Sequence, residues 1–242
     1  MAVEVEGLVK RFGATVALDG LDLSVRRGEF ITLVGASGCG KSTLLNILAG
    51  LDRPTAGSVE VRAERVALMF QDATLLPWLT AGQNVELALK LRGVAKSDRR
   101  DRVHELLATV RLDGKSDTRP HELSGGMRQR VALARMLAQE AEVVLMDEPF
   151  GALDAMTRDH MHDELERIWS SHGLTVLFVT HNVREAVRLG DRAILLASSP
   201  GRVKAAHDVG LPRPRRIDSP EVSALASQLT SELREEVLRH VS

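Results

Sequence analysis

The chain has 242 residues, with 32 basic and 33 acidic side chains, and 44% of its residues are hydrophobic. This length and composition suit one large soluble α/β domain, and the balanced charge argues against a broad nucleic-acid-binding face. No stretch approaches the roughly 20 apolar residues of a membrane span, and the N-terminus does not have the apolar core of a signal peptide. A single cysteine, Cys39, excludes an internal disulfide and is typical of a reducing cytosol. Any membrane role is therefore expected to come through a partner.

The first half of the chain begins with predicted strands. Residues 2–9 and 16–25 alternate apolar and polar side chains, as half-buried antiparallel strands do. The next predicted elements are a buried strand at Phe30–Val34, an apolar helix from Ser42, and short strands at Val59–Arg62 and Val66–Phe70.

From about Asp72 the pattern becomes helical, which predicts a helical lobe inserted over about residues 72–140. Helical spacing occurs at Val85–Leu91 and Arg102–Val110, separated by the polar stretch Lys96–Asp101, and the lobe ends with the helix after Ser124. Apolar strands then return, with helical segments between them, at Val143–Met146, Val176–Val179 and Ala193–Leu196. Strands that alternate with helices imply a largely parallel sheet covered on both faces.

The C-terminal part is predicted to be a stiff linker followed by a helix. Leu211–Arg216 contains two prolines, and Ser219 and Pro220 supply an N-cap and a proline at the first helical position. The apolar residues of the predicted helix share one face: Val222, Leu225, Leu229, Leu233 and Val237.

Residues 35–42 fit the phosphate-binding pattern G-x-x-x-x-G-K-[ST], with a predicted strand before them and a predicted helix after them. Glycines let successive N–H groups point at phosphate oxygens, and the helix N-terminus adds its partial positive charge. Lys41 would reach the β- and γ-phosphates, and the Ser42 hydroxyl would hold Mg²⁺. The loop therefore predicts binding of a nucleoside triphosphate. The predicted cofactor-binding residues here are Gly35, Ala36, Ser37, Gly38, Cys39, Gly40, Lys41, Ser42 and Thr43.

The thiol of Cys39 lies within this loop, just before the predicted helix N-terminus. Backbone amides and a helix N-terminus stabilise a thiolate, so the sequence predicts a lowered pKa and ready reaction with alkylating reagents. Bound Mg-ATP would then protect the thiol.

Two carboxylates follow the apolar run Val143–Met146. A strand buried on both faces brings such side chains out at its C-terminal edge, where open α/β sheets bind ligands. Asp147 would hold Mg²⁺ through water, and Glu148 would orient or deprotonate the attacking water.

Ser124-Gly125-Gly126 forms a second phosphate-ready helix N-terminus, with a hydroxyl and exposed backbone amides before a strong helix. One nucleotide does not need two such sites in one chain. The second site makes sense if it completes a nucleotide bound to another copy of the chain.

These motifs together resemble the ATP-binding subunits of ABC transporters, over about residues 2–210. The matching segments are Gly35–Ser42 (Walker A), Gln71 (Q-loop), Ser124–Gly126 (signature), Val143–Glu148 (Walker B), Gly151–Asp154 (D-loop) and His181 (switch histidine). The resemblance implies a P-loop NTPase (RecA-like) core with an antiparallel β subdomain and an inserted α-helical subdomain. It also implies an ATPase domain over residues 1–210, followed by a linker and helix over 211–242.

The resemblance assigns further roles by position. Gln71 would link Mg²⁺ and the γ-phosphate to the helical lobe, His181 would contact the γ-phosphate, and Asp154 would tune the partner's Walker A loop. Phe12 stands where the family usually places an aromatic ring against adenine, commonly a tyrosine, which this chain lacks altogether. The implied cofactors are ATP and Mg²⁺.

The implied partners are a second copy in the ATP state, integral membrane permease subunits and, through them, an extracytoplasmic solute-binding protein. No nucleic acid is expected. The chain would lie peripherally at the cytoplasmic face of the membrane.

Gln71–Trp78, Asn182–Gly190 and Ser198–Arg202 look like the nitrate/sulfonate/taurine branch of bacterial importers. Leu75, Leu76 and Trp78 are apolar residues in a predicted loop, as expected for a groove that receives a permease helix. Because the chain ends soon after the core, neither a C-terminal regulatory domain nor a fused membrane domain is expected.

Two alternatives stay open at this point. One is an ABC-type ATPase that drives a membrane partner mechanically or for export. The other is a DNA-repair or chromosome-organising ATPase, which is disfavoured because Lys41 and Ser124 are not separated by the very long coiled coil of those proteins.

Overall fold

A computed structural model describes residues 1–151, 153–197 and 200–241, and within these ranges the chain forms nine strands and seven α-helices. The strands are β1 Val3–Phe12, β2 Thr15–Val25, β3 Phe30–Val34, β4 Ala56–Val61, β5 Val66–Met69, β6 Val143–Asp147, β7 Thr175–Thr180, β8 Arg192–Leu196 and β9 Val203–Asp208. The helices are α1 Lys41–Leu48, α2 Ala81–Leu91, α3 Lys96–Thr109, α4 Gly125–Leu137, α5 Ala155–His172, α6 Val183–Leu189 and α7 Pro220–Val241, with a 3₁₀ turn at Pro120–Glu122.

The strands form two sheets. The smaller sheet has the order β2-β1-β4 and is antiparallel, as the alternating pattern near the N-terminus predicts. The larger sheet has the order β5-β6-β7-β3-β8-β9; its first five strands are parallel, and β9 runs antiparallel to β8. The predicted fold, a parallel core with an antiparallel β subdomain and an inserted helical subdomain, is confirmed.

Two details of the sequence prediction were wrong. Lys96–Asp101, predicted to separate two helices, forms the first turns of α3, and Arg99 Nε holds them by donating to the Val94 carbonyl at 2.8 Å. Strand β9 was not predicted, because Val203–Asp208 is only partly buried at the edge of the sheet and carries no run of apolar residues.

The buried side chains form three clusters. The first joins α2, α3 and α4, here called the helical lobe, with α5 and one face of the larger sheet. The second lies between the smaller sheet, α1 and the other face of the larger sheet. The third joins α6 and α7 with β8. Because β3, β6 and β7 are covered on both faces, their carboxyl ends are held rigidly at one edge.

The C-terminal segment is docked on the core. Arg215 is buried, and its guanidinium donates to the carbonyls of Val187 at 2.9 Å and Gly190 at 2.6 Å, which closes the end of α6. The Ser219 hydroxyl accepts from the Val222 amide at 3.3 Å, as predicted for the N-cap of α7. Of the predicted apolar face, the residues in or against the third cluster are Val222, Leu225, Leu229 and Leu233, whereas the side chain of Val237 lies outside the described part.

None of the described helices is both long and apolar enough to cross a membrane.

Candidate nucleotide-binding and catalytic site

The predicted site residues extend from one edge of the larger sheet. In the register of the parallel strands, Val34 pairs with Thr180 and Asp147 pairs with Val179, so β3, β7 and β6 end side by side. The Glu148 amide donates to the Val179 carbonyl at 3.0 Å, which fixes the start of the following turn. The phosphate loop, the two carboxylates and the histidine therefore share this edge.

The phosphate loop depends on glycine at Gly40. Its φ of 90° is in the left-handed region, and a Cβ there would lie 2.5 Å from Leu18 Cδ2 and 2.9 Å from the Ala17 carbonyl oxygen. The loop can therefore lie directly on β2 only with glycine at this position. Since Gly40 has no side chain to cap α1, the first amides of the helix are left for an anion.

The side chains of the loop differ in their exposure. Ser37 and Ser42 are exposed, and Ala36 and Thr43 are partly buried. The Lys41 ammonium is buried and donates to the carbonyls of Gly35 at 2.8 Å and Ala36 at 2.9 Å. It thus lies inside the backbone turn that is predicted to surround the phosphates.

Cys39 corrects one prediction. Its side chain is fully buried in the second cluster, beneath the loop, with the sulfur 3.7 Å from Lys41 Nζ. Burial raises the pKa of the Cys39 thiol above its ordinary value, more than the neighbouring Lys41 charge lowers it. The expectation of a low-pKa, reactive thiol was therefore wrong, and Cys39 acts as a small packing side chain under the loop.

Glu148 and His181 are in direct contact. Glu148 Oε2 lies 2.8 Å from His181 Nδ1; the carboxylate is 22% exposed and the imidazole 67%. Glu148 also adopts a positive φ of 44°, a conformation that costs energy in a residue other than glycine and is found at functional sites. In this conformation the partly buried carboxylate lies at the sheet edge and contacts the histidine that directly follows β7.

Gln71 lies beside this pair. A Cβ built on Gly151 would be 3.7 Å from Gln71 Nε2 and 3.8 Å from Glu148 Oε2, so the amide and the carboxylate flank the same glycine. The Gln71 carbonyl accepts a hydrogen bond from the buried Gln129 of α4 at 2.7 Å. The structure thus brings Gln71, Glu148 and His181 together and attaches the first of them to the helical lobe.

The described residues form no cluster of three or more His, Cys, Asp or Glu side chains suited to a metal ion. Oxygen donors are nevertheless available: Asp147 is partly exposed at the end of β6, and Ser42 is exposed at the start of α1, which packs against β6. A few oxygen ligands completed by substrate phosphates are what Mg²⁺ uses in nucleotide sites. The residues present therefore fit Mg²⁺ bound together with a nucleotide.

Ser124 and Asp154 both cap helices. The Ser124 hydroxyl accepts from the Met127 amide at 3.2 Å, and an Asp154 carboxylate oxygen accepts from the Thr157 amide at 3.0 Å. The Thr157 hydroxyl and amide lower the pKa of Asp154. Gly125 is exposed at the N-terminus of α4, whereas Ala152, within the predicted D-loop, lies outside the described residues.

Phe12 is exposed, at 53%, near the end of β1. The Lys10 ammonium lies 4.8 Å from the centroid of its ring, a cation–π distance. Phe12 is thus not a core residue, and its ring is accessible to a planar ligand.

The loop that contains Trp78 is held by two arginine side chains that were not predicted from the sequence, one in α4 and one before the 3₁₀ turn. Arg135 donates to the carbonyls of Ala73 and Thr74, both at 2.9 Å, and Arg119 donates to the Trp78 carbonyl. Burial lowers the pKa of Arg135. The sequence signal that could have indicated the role of Arg135 is its position as a charged residue on the inward face of the mostly apolar helix α4. The Trp78 side chain is 66% exposed, whereas its predicted companions Leu75 and Leu76 are partly buried.

Comparison with known proteins agrees with this geometry. The family model described as ABC transporter matches residues 18–151. A protein of Methanocaldococcus jannaschii described as an uncharacterized ABC transporter ATP-binding protein is 44% identical and aligns over 98% of this chain and 93% of its own. The chain therefore belongs to the ABC transporter family, and it is an ATP-binding ATPase domain of that family.

Other relatives are named after a specific transport function. An aliphatic sulfonates import ATP-binding protein of Mesorhizobium japonicum is 46% identical over 94% of this chain and 87% of its own, and a Shouchella clausii protein of the same name is 45% identical over 95% and 90%. A solved dimeric ATP-binding cassette in a post-hydrolysis state, bound to ADP and Pi, superposes with a TM-score of 0.77 at 33% identity, over 87% of this chain and all of that one.

Proposed function

We propose that this chain hydrolyses ATP to drive an importer, with Glu148 as the general base. The observation that carries the proposal is the 2.8 Å contact between Glu148 Oε2 and His181 Nδ1 at the edge where the phosphate loop begins. A base must lie within hydrogen-bond reach of the water that it activates, and a neighbouring imidazole orients it. Gln71, beside the same carboxylate, positions the water and senses the γ-phosphate.

The phosphate loop binds the triphosphate. The first amides of α1 face the phosphate oxygens, and the Lys41 ammonium exchanges its carbonyl partners for the β- and γ-phosphates. Phe12 offers its exposed ring to the adenine. Mg²⁺, held by Ser42, Asp147 and Gln71, would neutralise charge on the phosphates and orient them.

Two copies form the working ATPase. The solved cassette that this chain resembles is dimeric, and the chain carries a second glycine-rich helix N-terminus at Ser124–Gly126. Across a two-fold axis this segment of one copy would cover the nucleotide held by the phosphate loop of the other, and Asp154 would lie near the same junction. ATP then joins the two copies, and its hydrolysis separates them.

The ATPase domain spans residues 1–210, with the docked linker and helix over 211–242. It binds permease subunits at the cytoplasmic face of the membrane, and the exposed Trp78 loop is its contact. The named relatives import aliphatic sulfonates, so the cargo is a small organic sulfonate or a similar anion, delivered by an extracytoplasmic binding protein.

The experiment is purification of the chain from its own membranes with its partners. The detergent-solubilised complex is expected to contain a subunit with many membrane spans. Its ATP hydrolysis in proteoliposomes is expected to rise with ethanesulfonate and binding protein, and not with a sugar. Stimulation by taurine would keep the solute within the organic sulfonates, whereas stimulation by nitrate instead would retain the importer and change the class of solute. Purification without any membrane subunit would contradict the proposal.

A further inference from the structure

We infer that Arg158 and Glu185 are positioning residues for hydrolysis. They link the turn after Glu148 to the turn that contains His181, and so set the distance between base and histidine. The inference rests on the proposed function of Glu148. It concerns a polar network between α5 and α6 in which Glu185 is buried and Arg158 is partly exposed, and neither is among the residues predicted to contact ATP.

Arg158 holds the turn that begins at Glu148. The Gly151 amide donates to the Glu148 carbonyl at 3.1 Å. Arg158, in the first turns of α5, donates to the carbonyl of Phe150 at 3.3 Å through Nε and to that of Leu153 at 2.7 Å through Nη2. A displaced guanidinium would therefore move the backbone that supports the Glu148 carboxylate.

Glu185 holds the other turn. The Thr180 hydroxyl donates to Glu185 Oε2 at 2.6 Å and accepts from the Asn182 amide at 3.0 Å, so hydrogen bonds enclose His181 from both sides. Glu185 Oε1 lies 3.6 Å from Arg158 Nε, which closes the network between the two turns. The side-chain contacts therefore run from the carbonyls of Phe150 and Leu153, through Arg158 and Glu185, to the residues on either side of His181.

The burial of Glu185 argues against a purely stabilising role. Its side chain is 7% exposed, and burial raises the pKa of Glu185, opposed by the Thr180 hydrogen bond and the Arg158 charge. Removing the Glu185 carboxylate from water costs free energy that offsets much of its attraction to the partly exposed Arg158, so the pair adds little stability over apolar packing. The pair does fix the relative position of the two turns, because neither side chain can move without breaking its contact with the other.

The same two helices contain a matched control. Arg188 of α6 donates to Asp159 and Asp163 of α5, both at 2.6 Å. These bonds join α5 to α6, as the Arg158–Glu185 pair does. Among the described residues, Arg188 approaches Glu185 only through His162, whose Nδ1 lies 3.2 Å from Arg188 Nη1 and whose Nε2 lies 3.8 Å from Glu185 Oε1. Asp163→Asn therefore removes one charge from the helix pairing while the bonds of Arg158, Glu185 and Thr180 keep their partners.

The experiment compares ATP turnover in Glu185→Gln, Thr180→Val, Thr180→Ser and Asp163→Asn. Losing the link is expected to lower kcat by about 10- to 100-fold in Glu185→Gln and Thr180→Val, because small displacements at the reacting atoms have effects of this size. KM for ATP is expected to stay within about twofold, since the phosphate loop is untouched. Thr180→Ser keeps the hydroxyl and should restore kcat, and Asp163→Asn should resemble the wild type.

Valine has nearly the same shape as threonine, so Thr180→Val tests the hydrogen bond between Thr180 and Glu185 even if Glu185→Gln does not fold. The inference is overturned if Thr180→Val and Thr180→Ser have equal kcat, or if Asp163→Asn lowers kcat as much as Thr180→Val does. Glu148→Gln in the same series keeps the two hypotheses apart. Near-native ATP turnover in Glu148→Gln would refute the proposed function. Reduced turnover in Glu148→Gln together with normal turnover in Thr180→Val would refute the positioning role alone.

Discussion

Gly126 at the start of α4 is in contact with Thr157 in the first turn of α5: a Cβ on Gly126 would lie 2.5 Å from Thr157 Cγ2. Thr157 also donates the amide hydrogen bond that Asp154 accepts as N-cap of α5. The signature glycine and the Asp154 cap therefore meet at a single side chain. Their relative position depends on the absence of one methyl-sized group.

Gly126→Ala is therefore expected to force the two helix N-termini apart, and to cost about 1–3 kcal/mol as overpacking does. Gly126→Ala with Thr157→Ser should recover most of the loss, because serine keeps the hydroxyl and removes the clashing methyl. Thermal unfolding of the single and double variants measures the recovery.

Gly125→Ala is the control, since the nearest atom to its Cβ would be Arg128 Nη2 at 3.9 Å. Its unfolding temperature should not fall. Equal destabilisation at both glycines would show that contact with Thr157 is not the cause.

Glu148→Gln is expected to lower ATP turnover by about 10²–10⁴-fold, the usual effect of losing a general base. ATP should still bind, because the phosphate loop is intact. Lys41→Ala should instead weaken binding itself, since it removes the cation inside the loop. Steady-state hydrolysis and equilibrium binding of a labelled nucleotide separate the two effects. Near-native hydrolysis by Glu148→Gln would contradict the assignment.

ATP is expected to join two copies of the chain when hydrolysis is blocked. Glu148→Gln should sediment as a monomer alone and as a dimer with ATP. Adding Ser124→Arg places a bulky side chain where the other copy's γ-phosphate must sit, and this should abolish the dimer while ATP still binds. An ATP-dependent dimer that survives Ser124→Arg would place the signature segment outside the shared site.

The Cys39 thiol is expected to react slowly with alkylating reagents, with or without Mg-ATP, because it is buried and its pKa is raised by that burial. Labelling with iodoacetamide at neutral pH, followed by mass spectrometry, gives the rate. Denaturant should increase that rate sharply. Fast labelling of the folded chain that nucleotide suppresses would mean that the thiol faces the phosphates.

His162 is expected to make the chain less stable in mild acid. Burial and the charges of Arg188 and Arg158 lower its pKa to about 3 from the ordinary 6.5. The folded chain thus binds this proton more weakly than the unfolded chain does. The neutral histidine contributes fully above pH 6.5, and its contribution falls by about 1.4 kcal/mol per pH unit between 6.5 and 3.

The free energy of unfolding, measured with urea between pH 5 and 7, tests this. Its slope against pH should decrease in His162→Gln by the uptake of roughly one proton on unfolding. Glu185, whose pKa is raised, gives the opposite slope, and its Oε1 lies 3.8 Å from His162 Nε2. The slopes are therefore also compared in the Glu185→Gln background. His160→Gln, at an exposed position of the same helix, controls for the loss of a histidine as such. An unchanged slope in His162→Gln would contradict the buried neutral state.

The sequence predicted the parallel core because its strands are short apolar runs between helices, as at Val143–Met146 and Val176–Val179. It missed β9 because an edge strand that is covered on one side needs no continuous apolar run. It placed a break at Lys96–Asp101 because those polar residues form the exposed start of α3, whose first buried side chain is Val103.

The site was predictable where a local motif carries the chemistry, as in the loop around Lys41. The burial of the Cys39 side chain was not predictable, because it depends on packing against strands that are distant in the sequence. The Arg158–Glu185 pair was equally invisible. Each residue alone is typical of an exposed helix face, and only the contact between α5 and α6 shows that they meet.

The burial of the only cysteine has a practical consequence for spectroscopy. A thiol introduced at an exposed position, such as Met156→Cys in the first turn of α5, would be the one site that takes up a spin label or fluorophore. Cys39 would not need to be replaced. Distances between labels on two copies could then be followed through a full cycle of ATP binding and hydrolysis in an otherwise unaltered chain.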